Sequence, residues 1–225
     1  MDFLSRFAPH ENIASQLLPF VSEATDDGSH DLSHILRVWQ NVRALSALEG
    51  GDMVILTAAT LLHDCVEVPK NAPLRSSASR MAAERASQLL SDLGWDQDAI
   101  NNVAHAIEAH SFSANVAPTT VEARILQDAD RLDAIGHIGI ARCFYVSGRL
   151  NRSIYDPADP DASRRALDDS TYAIDHFRTK LLHLAGSFKT ETGARMAKDR
   201  HAVIQKFLDG LLREISADPA EADKS

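Results

Sequence analysis

Cysteine is scarce in this sequence, and basic residues are outnumbered by acidic ones. Of 225 residues only Cys65 and Cys143 are cysteines. Because they form no CxxC pair, the sequence predicts neither a disulfide framework nor a zinc ribbon, and a reducing compartment such as the cytoplasm is expected. The formal net charge of −9 disfavours broad binding to nucleic acid, because such binding needs a basic surface.

Long apolar runs are also missing. The longest, residues 54–62, is interrupted by Thr57 and Thr60 and is too short to span a bilayer. The N-terminal residues lack the basic segment and unbroken apolar stretch of a secretion signal. We therefore expect no membrane segment. Apolar residues at 44% and charged residues at 24% are ordinary values for a globular protein.

Apolar residues recur at three- and four-residue spacing along most of the chain, which is the period of amphipathic helices. The segment from Asp52 to about Cys65 is apolar nearly all round, so it should be a central helix. Other predicted helices begin at Asp31, run from Ser79 to about Leu93, where Gly94 ends the helix, begin at Asp96 and include residues 125–132. These patterns predict an all-α fold.

The C-terminal part follows a Pro- and Asp-rich break at residues 155–161. Two amphipathic segments, about 163–185 and 190–215, are candidates for a C-terminal helical hairpin. We expect residues 1–225 to form a single domain, with a metal-binding core over about 25–150 and the C-terminal helices, about 163–215, packed on it. The loop from Ile154 to Ser163 either covers a pocket or is an inert connection.

His63 and Asp64 stand at the C-terminal end of the most apolar predicted helix. Buried ionisable groups are costly unless they are paired or bind a metal, although the helix could also simply reach the surface there. Adding His34 and Asp130 from two other predicted helices makes a mixed nitrogen and oxygen ligand set. Such a set suits octahedral divalent ions or zinc, with positions left for water and substrate.

The order of these residues, H…HD…D, resembles the HD superfamily of metal-dependent phosphohydrolases. His34 opens HILRVW, His63 and Asp64 close ATLLHD, and Asp130 lies in QDADRLD. The phrases SHDLSHILRV and TETGARMA are similar to a bacterial subgroup of predicted hydrolases, some of which act on nucleotides. The resemblance covers roughly residues 25–212 and implies a helical bundle.

The resemblance also implies roles for individual residues. One divalent ion, whether Mn, Mg, Co, Ni, Fe or Zn, is expected on His34, His63, Asp64 and Asp130. Asp64 and Glu67 are the expected catalytic residues, because similar enzymes carry an acidic residue at the position of Glu67 that orients or deprotonates the attacking water. The alternative for Glu67 is a solvated loop carboxylate.

Phosphoryl transfer spreads negative charge over oxygen atoms, so cationic groups are expected near the metal. Lys70 is favoured because it shares a loop with Glu67, ahead of Arg75 and Arg80. His110 is interpreted as a substrate contact rather than a ligand of a second metal. The full set of predicted substrate contacts is Lys70, His30, His110, Arg131 and Asp133.

The function implied is hydrolysis of a phosphate ester or anhydride in a small phosphorylated molecule, most simply a nucleotide. Alternatives are a phosphodiesterase of a cyclic or signalling nucleotide, a two-iron oxygenase and a non-catalytic metal- or ligand-sensing module. Cys65 is interpreted as a packing thiol rather than a nucleophile. A homodimer is left open. The sequence contains no P-loop, GxGxxG or GxSxG motif.

Overall fold

The computed structural model describes residues 3–21, 32–66, 68, 77–111 and 114–216. Its α-helices are Glu11–Leu17 (α1), Leu32–Glu49 (α2), Met53–Leu62 (α3), Ala78–Asp92 (α4), Gln97–His110 (α5), Val121–Asp133 (α6), Gly136–Arg149 (α7), Leu182–Leu184 (α8) and Glu191–Ser216 (α9). Shorter helical turns are Leu4–Phe7, Leu18–Phe20, Phe177–Leu181 and Ala185–Ser187. In these ranges the β-structure consists of one isolated bridge, between Ser153 and Tyr172. The all-α prediction is confirmed.

The chain divides into two compact units. The first contains Met1–Leu132 and Phe188–Gly193, and the second contains Asp133–Ser187 and Ala194–Ser225. The single domain expected from the sequence, with the C-terminal helices packed on the metal-binding core, stays a prediction. Across the described ranges, no helix has both the length and the apolar character needed to cross a membrane.

Helix α3 is the centre of the first unit. All eight residues from Ile55 to Leu62 are buried, and the helix contacts α1, α2, α4 and α5. A helix that is apolar on every side is stable only where other helices cover it. The prediction of a central helix is therefore confirmed, and its C-terminal end delivers His63 and Asp64 into the interior of this unit.

Short sequence signals set the ends of several helices in the first unit. The side chain of Asp52 accepts a hydrogen bond from Val54 N, and that of Asp96 accepts one from Ala99 N. Both are N-caps, which satisfy amide groups that a helix start leaves open. Gly94 follows α4 with φ +78°, a conformation that glycine adopts readily at a helix end. The predicted start at Asp96 and stop at Gly94 are confirmed.

The second unit departs from the predicted helix over 163–185, because helical structure is continuous there only from Phe177. Residues before it form turns that carboxylates hold through backbone amides. Asp159 accepts hydrogen bonds from the amides of Ser163 and Arg164, and Asp175 accepts one from Asp168 N. Aspartate side chains that bind nearby amides compete with the helix, which explains the late start.

The second unit contains an aromatic cluster. Phe144, Phe177 and Phe207 form a triangle with ring centroids 5.8–5.9 Å apart. Aromatic pairs at this spacing gain energy beyond their burial. The predicted second C-terminal helix, about 190–215, agrees with α9 at Glu191–Ser216.

Candidate metal centre

Four predicted metal ligands converge in the first unit. His34 comes from α2, His63 and Asp64 follow α3, and Asp130 comes from α6. The Nε2 atoms of His34 and His63 are 3.3 Å apart. His34 Nε2 lies 3.6 Å from Asp130 Oδ1 and 3.9 Å from Asp64 Oδ2, and His63 Nε2 lies 3.6 Å from Asp64 Oδ2. Three separate helices thus place these donor atoms around one point.

The histidine side chains of the centre are buried, whereas the aspartate side chains are nearer the solvent. The side chain of His34 is 1% exposed and that of His63 is fully buried, whereas those of Asp64 and Asp130 are 40% and 30% exposed. The centre is therefore closed on the histidine side and open on the carboxylate side. An open side leaves room for water and a substrate, as in catalytic rather than structural metal sites.

Backbone carbonyls orient two of the imidazoles. His63 Nδ1 donates to Thr60 O at 2.7 Å, and His110 Nδ1 donates to Ile107 O at 2.6 Å. Since a carbonyl can only accept, Nδ1 carries a hydrogen in both rings, which leaves Nε2 as the nitrogen that can offer a lone pair to a metal. Metal-binding histidines are commonly oriented by such a bond from the other ring nitrogen.

The donor atoms fit a divalent cation. Two overlapping groups have ligand atoms within 4.8 Å of one another, namely His34 with His63 and Asp130, and His63 with Asp64 and His110. Ligand atoms that bind one ion at about 2.1 Å lie roughly 3 Å apart when they are at right angles. The 3.3 Å between the two Nε2 atoms agrees with that spacing.

His110 lies beside these ligands. It is 6% exposed, its ring meets His63 edge-on with centroids 5.0 Å apart, and its Nε2 is 3.9 Å from Asp64 Oδ1. Burial, with a smaller contribution from the neighbouring imidazole of His63, lowers the pKa of His110. The structure therefore places His110 among possible ligands, and its predicted contact with substrate stays a prediction.

Four predicted residues, Glu67, Lys70, Arg75 and His30, lie outside the described residues, as does the predicted helix start at Asp31. Their roles stay predictions.

The remaining charged candidates are distributed between the two units. Arg131, next to Asp130 on α6, is 8% exposed, and burial lowers its pKa while the neighbouring aspartates oppose that shift. In the second unit, buried Asp133 accepts a 2.8 Å hydrogen bond from Arg142. Arg80 pairs with Glu108 at 3.0 Å. The predicted substrate contacts of Arg131 and Asp133 stay predictions.

Sequence reasoning missed buried polar residues that hold α6. Asn41, a polar residue between apolar positions of α2, is 6% exposed and donates to Ala129 O at 2.9 Å. Gln127 donates to Ala109 O at 2.6 Å. Asp128 is fully buried, and burial raises its pKa despite several hydrogen bonds to the carboxylate. A polar residue flanked by Val38, Val42 and Leu45 was the available signal for Asn41.

Cys65, next to the proposed ligand Asp64, has the properties of a thiol that packs in the interior. Cys65 Sγ lies 3.6 Å from Ala82 O, and burial raises its pKa to about 11. A nucleophilic cysteine needs a lowered pKa. The geometry supports the interpretation of Cys65 as a packing residue.

A helical unit with imidazoles and carboxylates converging from three helices defines a class of divalent-metal centre, and comparison with known proteins gives the class its name. The family model of the HD domain matches residues 31–135, which include all four proposed ligands. The uncharacterised protein YpgQ of Bacillus subtilis is 32% identical over 214 residues, covering 92% of this chain and 96% of YpgQ.

Solved structures agree with this match. An HD-superfamily hydrolase from Bacillus thuringiensis has a TM-score of 0.70 and 30% identity, covering 93% of this chain and 99% of that one. The structure of B. subtilis YpgQ in complex with ADP has a TM-score of 0.69 and 28% identity, covering 91% of this chain and 98% of that one. This chain belongs to the HD-domain family of hydrolases.

Proposed function

We propose that the protein is a divalent-metal-dependent phosphohydrolase that acts on a small phosphorylated substrate, a nucleotide. The observation that carries the proposal is the convergence of His34, His63, Asp64 and Asp130 at an open, partly buried centre. Membership of a family whose solved relatives include a named hydrolase supports the reaction class.

The nucleotide part of the proposal comes from a relative. YpgQ has been solved with ADP, so a protein of similar fold and 28% identity accepts a nucleoside diphosphate. A bound divalent ion would supply the local positive charge that an anionic substrate needs in a chain of net charge −9. Arg131, directly after Asp130, adds a fixed positive charge.

Residues of the chain would share the chemistry as follows. The four ligands would hold a metal ion, which when bound would supply a Lewis acid for a phosphoryl oxygen and for a water molecule. Asp64, with the more exposed carboxylate, faces the open side and can accept a hydrogen bond from the attacking water. Glu67, Lys70 and His30 are proposed to orient that water and the phosphate.

One feature favours a second candidate, a phosphodiesterase of a cyclic or signalling nucleotide. His110 forms a second group of possible metal ligands together with His63 and Asp64. Paired metal sites clamp both the attacking and the leaving oxygen in phosphodiester cleavage. The candidate requires two bound ions per chain, whereas the leading proposal requires one.

The test measures release of phosphate and pyrophosphate from nucleoside mono-, di- and triphosphates and from cyclic nucleotides. Metal-stripped protein is assayed with Mn²⁺, Mg²⁺, Co²⁺, Ni²⁺, Fe²⁺ or Zn²⁺, beside Asp64→Ala and the control Asp98→Ala, an exposed carboxylate on α5. We expect metal-dependent hydrolysis that Asp64→Ala abolishes and Asp98→Ala preserves. Stoichiometric metal without hydrolysis of any nucleotide would contradict the proposal and favour a sensing module.

A further inference from the structure

A buried carboxylate on α6 has no part in the proposed chemistry. Asp128 is fully buried two residues before Asp130. Its oxygens accept hydrogen bonds from Lys189 N at 2.9 and 3.1 Å, from Thr190 N at 2.8 Å and from Thr190 Oγ1 at 2.7 Å. A buried carboxylate is tolerated when it is hydrogen-bonded in this way, so these bonds hold α6 to the start of α9.

A second carboxylate binds the same segment. Glu49, the last residue of α2, accepts a hydrogen bond from Thr192 N at 2.7 Å. Thr190 Oγ1 in turn accepts one from Gly193 N at 2.9 Å. Side chains of the first unit therefore accept hydrogen bonds from the backbone amides at the start of α9. The start of α9 thus binds other parts of its own unit.

Residues 189–193, here called the clamp segment, thus join α2 to α6. Helix α2 carries His34 and helix α6 carries Asp130, whose ligand atoms are 3.6 Å apart. Asp128 and Asp130 are two positions apart, or about 200° around the helix. One carboxylate therefore faces the clamp segment while the other faces the metal centre.

Gly193 is required for this contact. A Cβ at Gly193 would overlap Asp128 Oδ2 and lie 2.7 Å from Thr190 Oγ1. The missing side chain lets the carboxylate reach the backbone of α9. Gly210, on the same helix, has nothing within 4 Å of a Cβ built there, so it offers a matched control.

We propose that the clamp segment positions the metal centre, by setting the distance between His34 and Asp130 through Glu49 and Asp128. The inference rests on the proposed function, because it concerns the same bound ion. Metal–ligand distances tolerate changes of only about 0.2 Å, so a small shift of α6 weakens binding. The clamp segment lies outside residues 31–135, which the HD-domain family model matches.

The experiment measures Mn²⁺ binding by calorimetry and the absorption spectrum of the Co²⁺-loaded protein. Thr190→Val removes the hydroxyl that bonds Asp128, and Gly193→Ala displaces the carboxylate. We expect both variants to bind Mn²⁺ about tenfold or more weakly, the usual range for residues behind metal ligands, and to alter the Co²⁺ spectrum. Thr190→Ser keeps the hydroxyl and should restore both properties.

Two controls separate positioning from general stability. Asp96→Ala removes the N-cap bond to Ala99 N on α5 and should lower the thermal midpoint while Mn²⁺ binding is unchanged. Gly210→Ala should leave binding unchanged. If Gly193→Ala does not fold, Thr190→Val and Glu49→Ala provide the same comparison.

The positioning role of the clamp segment and the metal centre itself fail under different results. If Thr190→Val lowers the thermal midpoint but binds Mn²⁺ as tightly as Asp96→Ala does, the clamp segment is merely structural. If Mn²⁺ binding is insensitive to Asp130→Ala, the proposed metal centre itself is wrong. If Asp130→Ala loses Mn²⁺ binding while Thr190→Val and Gly193→Ala keep it, the positioning role of the clamp segment is wrong and the proposed metal centre stands.

Discussion

Two pairs of aspartates, one pair in each unit, have different partners. In the first unit, Asp64 and Asp130 lie 3.6–3.9 Å from histidine nitrogens. In the second unit, Asp133 lies 2.8 Å from Arg142 and Asp175 lies 2.5 Å from Arg165. The two pairs of aspartates therefore differ in their partners, which are histidines in the first unit and arginines in the second.

The difference between arginine and histidine partners indicates which carboxylates need a bound cation. Arginine remains protonated at any ordinary pH, so Asp133 and Asp175 are neutralised by the chain itself. A neutral histidine offers a lone pair and no charge. Carboxylates and lone pairs that converge together attract a metal ion.

Replacing Asp64 by Asn should remove most of the activity. The substitution keeps the shape and deletes the negative charge that holds the ion. Since a metal ion contributes several kcal/mol of transition-state stabilisation, we expect a loss of about 10³-fold or more in kcat/KM. Metal content and nucleotide hydrolysis measure the effect. A variant with full metal content and hydrolysis would show that Asp64 is dispensable.

Replacing Asp175 by Ala should destabilise the fold and spare the metal centre. The substitution leaves Arg165 and Asp168 N without their buried acceptor. The side chain of Asp175 is 2% exposed, so its removal leaves a buried space beside these donors, and we expect a lower free energy of unfolding. Urea unfolding measures the free energy, and calorimetry measures Mn²⁺ binding. A variant that loses metal binding while it remains folded would break the comparison between the two units.

Removing the metal should lower the thermal stability. A ligand that binds the folded state at about 100 times its Kd stabilises it by about 2.7 kcal/mol, so adding Mn²⁺ to stripped protein should raise the thermal midpoint. Asp130→Ala should abolish this increase, whereas Asp175→Ala should start from a lower midpoint and retain it. An increase that persists in Asp130→Ala would place the ion elsewhere.

Replacing Cys65 by Ala should have the smallest effect. With a pKa of about 11, about one thiol in 10⁴ is ionised at pH 7. We expect slow labelling by iodoacetamide that accelerates as the pH rises toward 11, and an unchanged kcat. Rapid labelling at pH 7, or a large loss of kcat in the variant, would instead indicate a nucleophile.

Local sequence signals predicted the regular part of the fold well. The apolar periodicity identified α2 to α6, and the residues Asp96 and Gly94 marked a helix start and stop. The prediction was wrong about a continuous helix over 163–185. Periodicity records which side of a segment is buried, but it does not include the competition from Asp159 and Asp175 for backbone amides.

The candidate site was predictable as a set of residue types and not as an arrangement. His34, His63, Asp64 and Asp130 stood out as potential ligands in predicted helices. Their deep imidazoles and open carboxylates became visible only when the helices were packed. Asn41 and Asp128 were missed because their partners, Ala129 and Thr190, are 88 and 62 positions away.

The sequence by itself determined the helical class, the central place of α3 and the ligand types, because each depends on neighbours within one or two turns. Tertiary structure alone decided which donor atoms meet, which ring nitrogen faces the centre, and that residues 189–193 reach both α2 and α6. Such contacts depend on how separate helices pack, and no local pattern encodes the distance between two side chains that are far apart in the chain.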